Sequence, residues 1–157
     1  MQMCGIGILL VSAIYYSYGL IRHAGVRLSQ LEDADALILF IRNHIESFMT
    51  PLAEILMSFK GYSVHFEEFI RAAREQGMCE AMECGKLEIG PDAERILGEF
   101  SRKIGSGFKE DELRLCNYCH SSIAEILKKE RDDLNKKMKM YKTLPIMTAM
   151  SAVLILL

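Results

Sequence analysis

The sequence predicts an all-α protein, a cytoplasmic helical bundle flanked by an N-terminal and a C-terminal transmembrane helix. Two observations predict it. All 19 Lys and Arg and all 21 Asp and Glu lie between Arg22 and Lys142, so residues 1–21 and 143–157 carry no charged side chain. Between those ends, apolar residues recur at three- and four-residue steps, and no stretch keeps the two-residue alternation of a half-buried strand. The net charge of -2 says little, whereas the placement of the charges divides the chain into 1–21, 22–142 and 143–157.

Met1 to Ile21 has about the length a bilayer-spanning helix requires, roughly 20 residues at 1.5 Å rise. Gly5, Gly7 and Gly19 are tolerated better in lipid than in water. Tyr15, Tyr16 and Tyr18 cluster near the charged end, where aromatic rings favour the headgroup zone. A secretory signal would carry Lys or Arg before its apolar core and a small-residue cleavage site, and neither is present. A buried core helix apolar on every face is rare in so small a domain.

Thr143 to Leu157 is shorter. With Met140 and Tyr141 added, and Lys139 and Lys142 snorkelling to the interface, it comes close to spanning length. That length leaves full crossing and partial insertion both open. Arg22 and Arg27 follow the first segment, and Lys136, Lys137, Lys139 and Lys142 precede the second. Basic residues mark the cytoplasmic side, so the middle is expected in the cytoplasm with both termini outward.

Within 22–142, the prolines and glycines punctuate the helices. Arg27 to Phe48 places Leu28, Leu31, Ala34, Leu37, Ile38, Ile41, Ile45 and Phe48 on one apolar face. Thr50-Pro51 reads as an N-cap followed by proline at the first helical position, with Glu54 in the first turn. That helix is expected to run to about Lys60 and to end on Gly61 as a left-handed cap. Ser63 begins a third helix, with Phe66, Phe69, Ile70 and Ala73 inward, that ends at Gly77. Residues 78–90 hold Gly85 and Gly90 and read as a short helix and a loop. Pro91 opens a helix through Lys103 with Ile96, Leu97 and Phe100 inward, closed by Gly105 and Gly107.

From about Glu110 a long helix leads to the C-terminal segment. Leu113, Cys116, His120, Ile123, Leu127, Leu134, Met138 and Tyr141 lie on or near one stripe. Glu125 with Lys129, Asp132 with Lys136, and Asp133 with Lys137 are acid-before-base pairs at four-residue spacing, each worth a few tenths of a kcal/mol. These charges read as a solvated helix face.

The cysteines invite two chemical readings. Cys116-Asn117-Tyr118-Cys119-His120 matches the C-x-x-C-H of covalent haem attachment. That attachment is an extracytoplasmic event, and here the motif falls inside an amphipathic helix, where Cys116 and His120 pack inward. Cys79 and Cys84 join Cys116 and Cys119 in a C-x4-C … C-x2-C set of the ligand type structural zinc prefers. A helix, however, does not present Cys116 and Cys119 together as a turn would. A zinc or redox site in the cytoplasmic domain is therefore the alternative function. Phosphate-binding and nucleophile-elbow motifs are missing. With no Trp and no basic stripe, nucleic acid is not an expected partner. No cofactor and no catalytic constellation is expected.

Several segments, in this order, resemble the stage III sporulation protein AB family. They are the glycine-bearing apolar helix Cys4-Gly5-Ile6-Gly7-Ile8-Leu9-Leu10; the basic exit into the Leu-rich helix Arg27 to Phe48; the helix start Pro51-Leu52-Ala53-Glu54; the segment Phe100 to Asp111, with Ile104-Gly105 before an acidic restart; and Lys139-Met140-Tyr141-Lys142-Thr143-Leu144. Pro145 stands where that family usually has glycine, and the four middle cysteines are foreign to its pattern. The resemblance implies a membrane component of the mother-cell machinery that builds a channel, or feeding tube, to the forespore. It implies a soluble domain similar to one in the platform proteins of type II secretion and type IV pili. The implied partners are a secretion-type ATPase, stage III sporulation protein AA, and other channel subunits, with no catalytic residue. Membrane topology and partner contact are then expected to depend on Arg22, Arg27, Pro51, Leu52, Glu54, Gly105, Lys139, Tyr141 and Lys142.

Overall fold

Among the described residues the chain forms six α-helices and no strand: α1 (Gln2–Phe48), α2 (Leu52–Ser58), α3 (Val64–Gln76), α4 (Met78–Cys84), α5 (Pro91–Lys103) and α6 (Lys109–Leu156). The computed structural model describes the backbone of residues 2–48, 50–61, 63–84 and 87–156, and the side chains of 22–48, 50–61, 63–84 and 87–140. The all-α class is as the sequence predicts. The residues fall into two units, Val26–Lys129 and Met1–Gly25 with Glu130–Leu157.

The core of the Val26–Lys129 unit is drawn from every helix. Leu31, Leu37, Ile38 and Ile41 of α1 are wholly buried, together with Ile55 of α2, Phe66 and Ile70 of α3, Leu97 and Phe100 of α5 and Ile123 of α6. Each such side chain contributes about 1.5–3 kcal/mol relative to exposure. Four phenylalanines form a chain of ring contacts through this core. Phe40 meets Phe59 at 5.3 Å, Phe59 meets Phe66 at 6.5 Å, and Phe66 meets Phe69 at 5.3 Å, in edge or tilted geometries that aromatic quadrupoles favour.

Most boundaries follow the sequence reading. Ser63 caps α3, its Oγ accepting from the Phe66 N–H at 3.3 Å, and Gly77 closes that helix. The short helix within 78–90 is α4, and Pro91 is the first residue of α5. Four details differ. Residues 27–48 are the second half of α1, whose helical backbone begins at Gln2. Pro51 itself is the N-cap of α2, and no side chain caps that end. The helix stops at Ser58, before Gly61, because Phe59 turns extended (φ -73°, ψ 140°) to bury its ring. The carbonyls left open there are met by Arg74, which donates from Nε to Leu56 at 2.8 Å and from Nη2 to Phe59 at 2.5 Å. An arginine thus does what a left-handed glycine was expected to do. Finally, α6 begins at Lys109, one residue earlier than expected.

Burial also corrects the predicted faces. Phe48 is 74 % exposed because it lies in the last turn of α1, where its ring tilts against His44 at 6.1 Å. Cys119, outside the predicted stripe, is buried beside Cys116. Ile96, Leu113, His120 and Leu127 are half-buried. In the second unit Lys136 approaches Asp133 at 3.9 Å, a three-residue step in place of the expected pairing with Asp132. Among the described residues no helix is long and apolar enough to cross a membrane. The expected spans, 1–21 and 143–157, lie outside the residues whose side chains are described.

Candidate functional site

Three polar residues of α1 hold other elements in place. Asp33 is 1 % exposed; its Oδ2 accepts from the Ser63 N–H at 2.8 Å and from the Ser63 hydroxyl at 2.5 Å. Gln30, equally buried, accepts at Oε1 from the Glu88 N–H at 2.7 Å. Asp35 meets His120 Nδ1 of α6 at 2.6 Å. Buried polar groups need such partners, since each unmet one costs about 1–3 kcal/mol. Gln30 and Asp33, three residues apart, share one ridge of α1 that sets the loop before α5 and the start of α3, while Asp35 holds the flank of α6 from another face of the helix. Arg27 extends the ridge. Its guanidinium packs on Gly90 so closely that a Cβ there would collide with it, and Gly90 sits at φ 88°.

With the helices so fixed, two segments far apart in sequence meet at one end of the Val26–Lys129 unit. The Gly105 turn (φ 84°) packs on the Leu52 side chain, which a Cβ on Gly105 would touch at 3.5 Å. Lys109 donates from Nζ to the Glu46 carbonyl in the last turn of α1 at 2.8 Å. Residues 46–48 and 50–54 therefore adjoin residues 105–111 on one surface. Pro51 and Glu54 are exposed on it. Phe108 projects from it, 82 % exposed, and so does Phe48. The Phe108 carbonyl accepts from the Glu112 N–H at 3.0 Å, so Phe108 holds the N-cap position of α6, where Ser, Asp, Asn or Thr is favoured. Glu112 folds back over the turn and accepts from the Gly107 N–H at 3.3 Å, one residue before the N-cap.

Of the residues expected to matter for topology and partner contact, Pro51, Leu52, Glu54 and Gly105 are brought together here. Arg22 and Lys139 are exposed and belong to the other unit. Arg27 has a structural task within the Val26–Lys129 unit. Tyr141 and Lys142 lie outside the residues whose side chains are described. Sequence reasoning missed Phe108 and took Phe48 for core. The available signal was a large apolar residue in a Gly-Ser-Gly turn directly before an acidic helix start.

The cysteines do not assemble. Among the described residues no three His, Cys, Asp or Glu side chains converge as a metal site. Cys84 is exposed, Cys79 is half-buried, and Cys116 and Cys119 are buried. Burial, with the neighbouring Cys119 and Glu112, pushes the Cys116 thiol up to about 12. Burial, with Glu99, pushes Cys119 up to about 11. Both are protonated thiols near neutral pH and pack as small apolar groups. A groove of about 480 Å³ lies along the start of α3, lined in part by Gly61, Val64, Glu67 and Arg74. Glu67 already accepts from the Gly61 N–H at 3.2 Å and Arg74 is bound to the end of α2, so both are engaged in holding the turn.

Comparison with known protein families returns one description: the stage III sporulation protein AB family, matched over residues 2–157. Neither the curated proteins nor the solved structures contain a match.

Proposed function

The chain belongs to the stage III sporulation protein AB family, and from that premise we propose that it is a membrane assembly subunit of the channel between mother cell and forespore. In this reading it is a platform that engages a secretion-type ATPase, stage III sporulation protein AA, and the other channel subunits. Residues 22–142 face the mother-cell cytoplasm. Residues 1–21 and 143–157 are the membrane helices, in the mother-cell-derived membrane around the forespore, with both ends outward. The contribution is binding, not catalysis.

The observation that carries the reading is the family match over nearly the whole chain. Three features support it. The two ends are free of charged side chains, which suits hydrocarbon, and Arg22 and Lys139 border them on the same side of the sequence pattern. A domain tethered at both ends to one membrane meets a membrane-docked partner at raised effective concentration. The surface built from residues 46–48, 50–54 and 105–111 stands about 30 Å along α1 from Arg27, at 1.5 Å per residue.

Co-purification tests the reading. The full-length chain, solubilised in detergent and immobilised, is expected to retain the purified ATPase in at least one nucleotide state. Failure in the apo, ADP and ATP-analogue states alike would overturn the platform role. The membrane assignment has its own test: the protein should pellet with membranes after lysis and high-speed centrifugation, and leave them on addition of detergent.

A further inference from the structure

The charges of this chain are segregated by sign as well as confined to its middle. Every Asp and Glu lies between Glu32 and Asp133. Residues 22–31 and 134–142, which border the two uncharged ends, carry Arg22, Arg27, Lys136, Lys137, Lys139 and Lys142 and no acid. With six of the 19 bases there, the other 13 share residues 32–133 with all 21 acids, a net of -8. Membrane orientation does not require this. It is set by Lys and Arg, and Asp and Glu contribute little, so acids could stand in the borders without altering it. Anionic headgroups do feel them, because within a Debye length of about 8 Å a carboxylate repels what the lysines attract.

The side chains suit the same kind of surface. Arg22, Lys136, Lys137 and Lys139 are exposed and belong to one unit, Met1–Gly25 with Glu130–Leu157. Lys136 meets Asp133 at 3.9 Å and is still 77 % exposed, a screened contact of the kind that contributes little in water. Arg27 is held against Gly90 and serves the fold. Among the lysines, Met138 and Met140 are exposed as well. Lysines interleaved with apolar side chains, directly before an uncharged segment, match the layers of a bilayer interface, with phosphates at the level of the ammonium groups and acyl chains at the level of the methionines. A free phosphate would offer the methionines nothing.

We propose that Arg22, Lys136, Lys137 and Lys139, with Met138 and Met140, form a binding surface for anionic phospholipids at the border of the membrane segments. This rests on the membrane reading above and names the lipid class that the chain selects. The lysines supply the preference for negative headgroups, and the methionines anchor the surface at the depth where those headgroups lie.

The test reconstitutes the full-length chain into phosphatidylcholine vesicles that hold a trace of spin-labelled phosphatidylglycerol or spin-labelled phosphatidylcholine. Electron paramagnetic resonance reads the share of each label slowed by contact with the protein. Phosphatidylglycerol is expected to associate at least about threefold more strongly than phosphatidylcholine at low salt, and the preference should vanish in about 1 M salt, where the Debye length is about 3 Å. The variant Lys136→Gln, Lys137→Gln, Lys139→Gln is expected to lose most of the preference. A variant with the same charge loss at exposed positions of α5, Arg95→Gln, Arg102→Gln, Lys103→Gln, is expected to keep it. Arg22, Arg27 and Lys142 stay in place in both, and protease protection checks the orientation. Should the lysine variant insert wrongly, the single Lys137→Gln variant decides the matter by a partial loss. A wild-type chain that slows both labels equally overturns the lipid surface and leaves the membrane reading standing. So does a preference that the lysine variants leave unmoved, or one that the α5 variant removes as well. A wild-type chain that slows neither label overturns the membrane reading itself.

Discussion

Two stretches of the same helix break the rule of apolar inside and polar outside, and they break it in opposite directions. In the first, Gln30 and Asp33 of α1 are polar side chains in the core. In the second, Phe48 at the end of α1 is an aromatic ring in water, as is Phe108 just before α6. The buried polar pair is fully accounted for within the fold: Asp33 holds the start of α3 and Gln30 holds the loop before α5. The two exposed aromatics have no such account. A buried polar residue with its bonds made is architecture, whereas Phe48, its ring tilted against His44 of the same helix at 6.1 Å, stands outside the core.

Substitutions should separate the two stretches cleanly. The largest effect is expected from placing a charge in the shared core. Leu37→Lys or Ile41→Asp strands an ion where no partner reaches it and costs several kcal/mol, so helical circular dichroism of the unit should collapse. Retention of native helicity would place these residues elsewhere. Asp33→Ala comes next. It leaves the Ser63 N–H and hydroxyl without their acceptor, and about 1.5–3 kcal/mol of stability should be lost in urea denaturation. A conservative Asp33→Asn change, which keeps one acceptor oxygen, should recover part of it.

Gly90→Ala should cost about 1–3 kcal/mol, because φ 88° with ψ 158° is a region nearly reserved for glycine. The added Cβ also meets the Arg27 guanidinium. Combining it with Arg27→Ala should therefore cost less than the two single changes summed, which a double-mutant cycle reads directly. At the other stretch, Phe48→Ala and Phe108→Ala should move stability in urea denaturation by no more than about 0.5 kcal/mol, the range of ordinary surface changes.

A smaller effect concerns the two buried thiols. The folded state holds Cys116 up to about 12 and Cys119 up to about 11 against 9.0 for an unperturbed thiol. Above pH 9 the unfolded chain gives up these protons and the folded one keeps them, so stability falls as pH rises. Their full contribution is present below pH 9 and is lost as pH climbs toward 11 and 12. Thiol labelling near pH 8 should accordingly modify Cys84 first, and Cys116 and Cys119 only after denaturant is added.

Much of this was legible in the order of residues. Helical periodicity announced the all-α class, Ser63 announced the start of α3, and Pro91 announced that of α5. The core face of α1 from Leu31 to Ile45 could be read from spacing alone. The end of α2 could not, because its carbonyls are satisfied by Arg74, distant in sequence and reached only when α3 folds back. Nor could Phe48 be separated from Ile45 and Ile41, which share its helical face. The difference is whether another helix happens to cover that last turn.

Local regularities, a 3.6-residue period, a serine cap, a proline at a helix start and charges confined to 22–142, depend on neighbours along the chain, and the sequence by itself determined them. The meeting of Leu52 with Gly105, the Lys109 bond to Glu46, the burial of Asp33 and the exposure of Phe48 and Phe108 depend on which surfaces come into contact. Only the tertiary structure decided those, because contact across the fold is set by the packing of whole helices and leaves no periodic trace in any one of them.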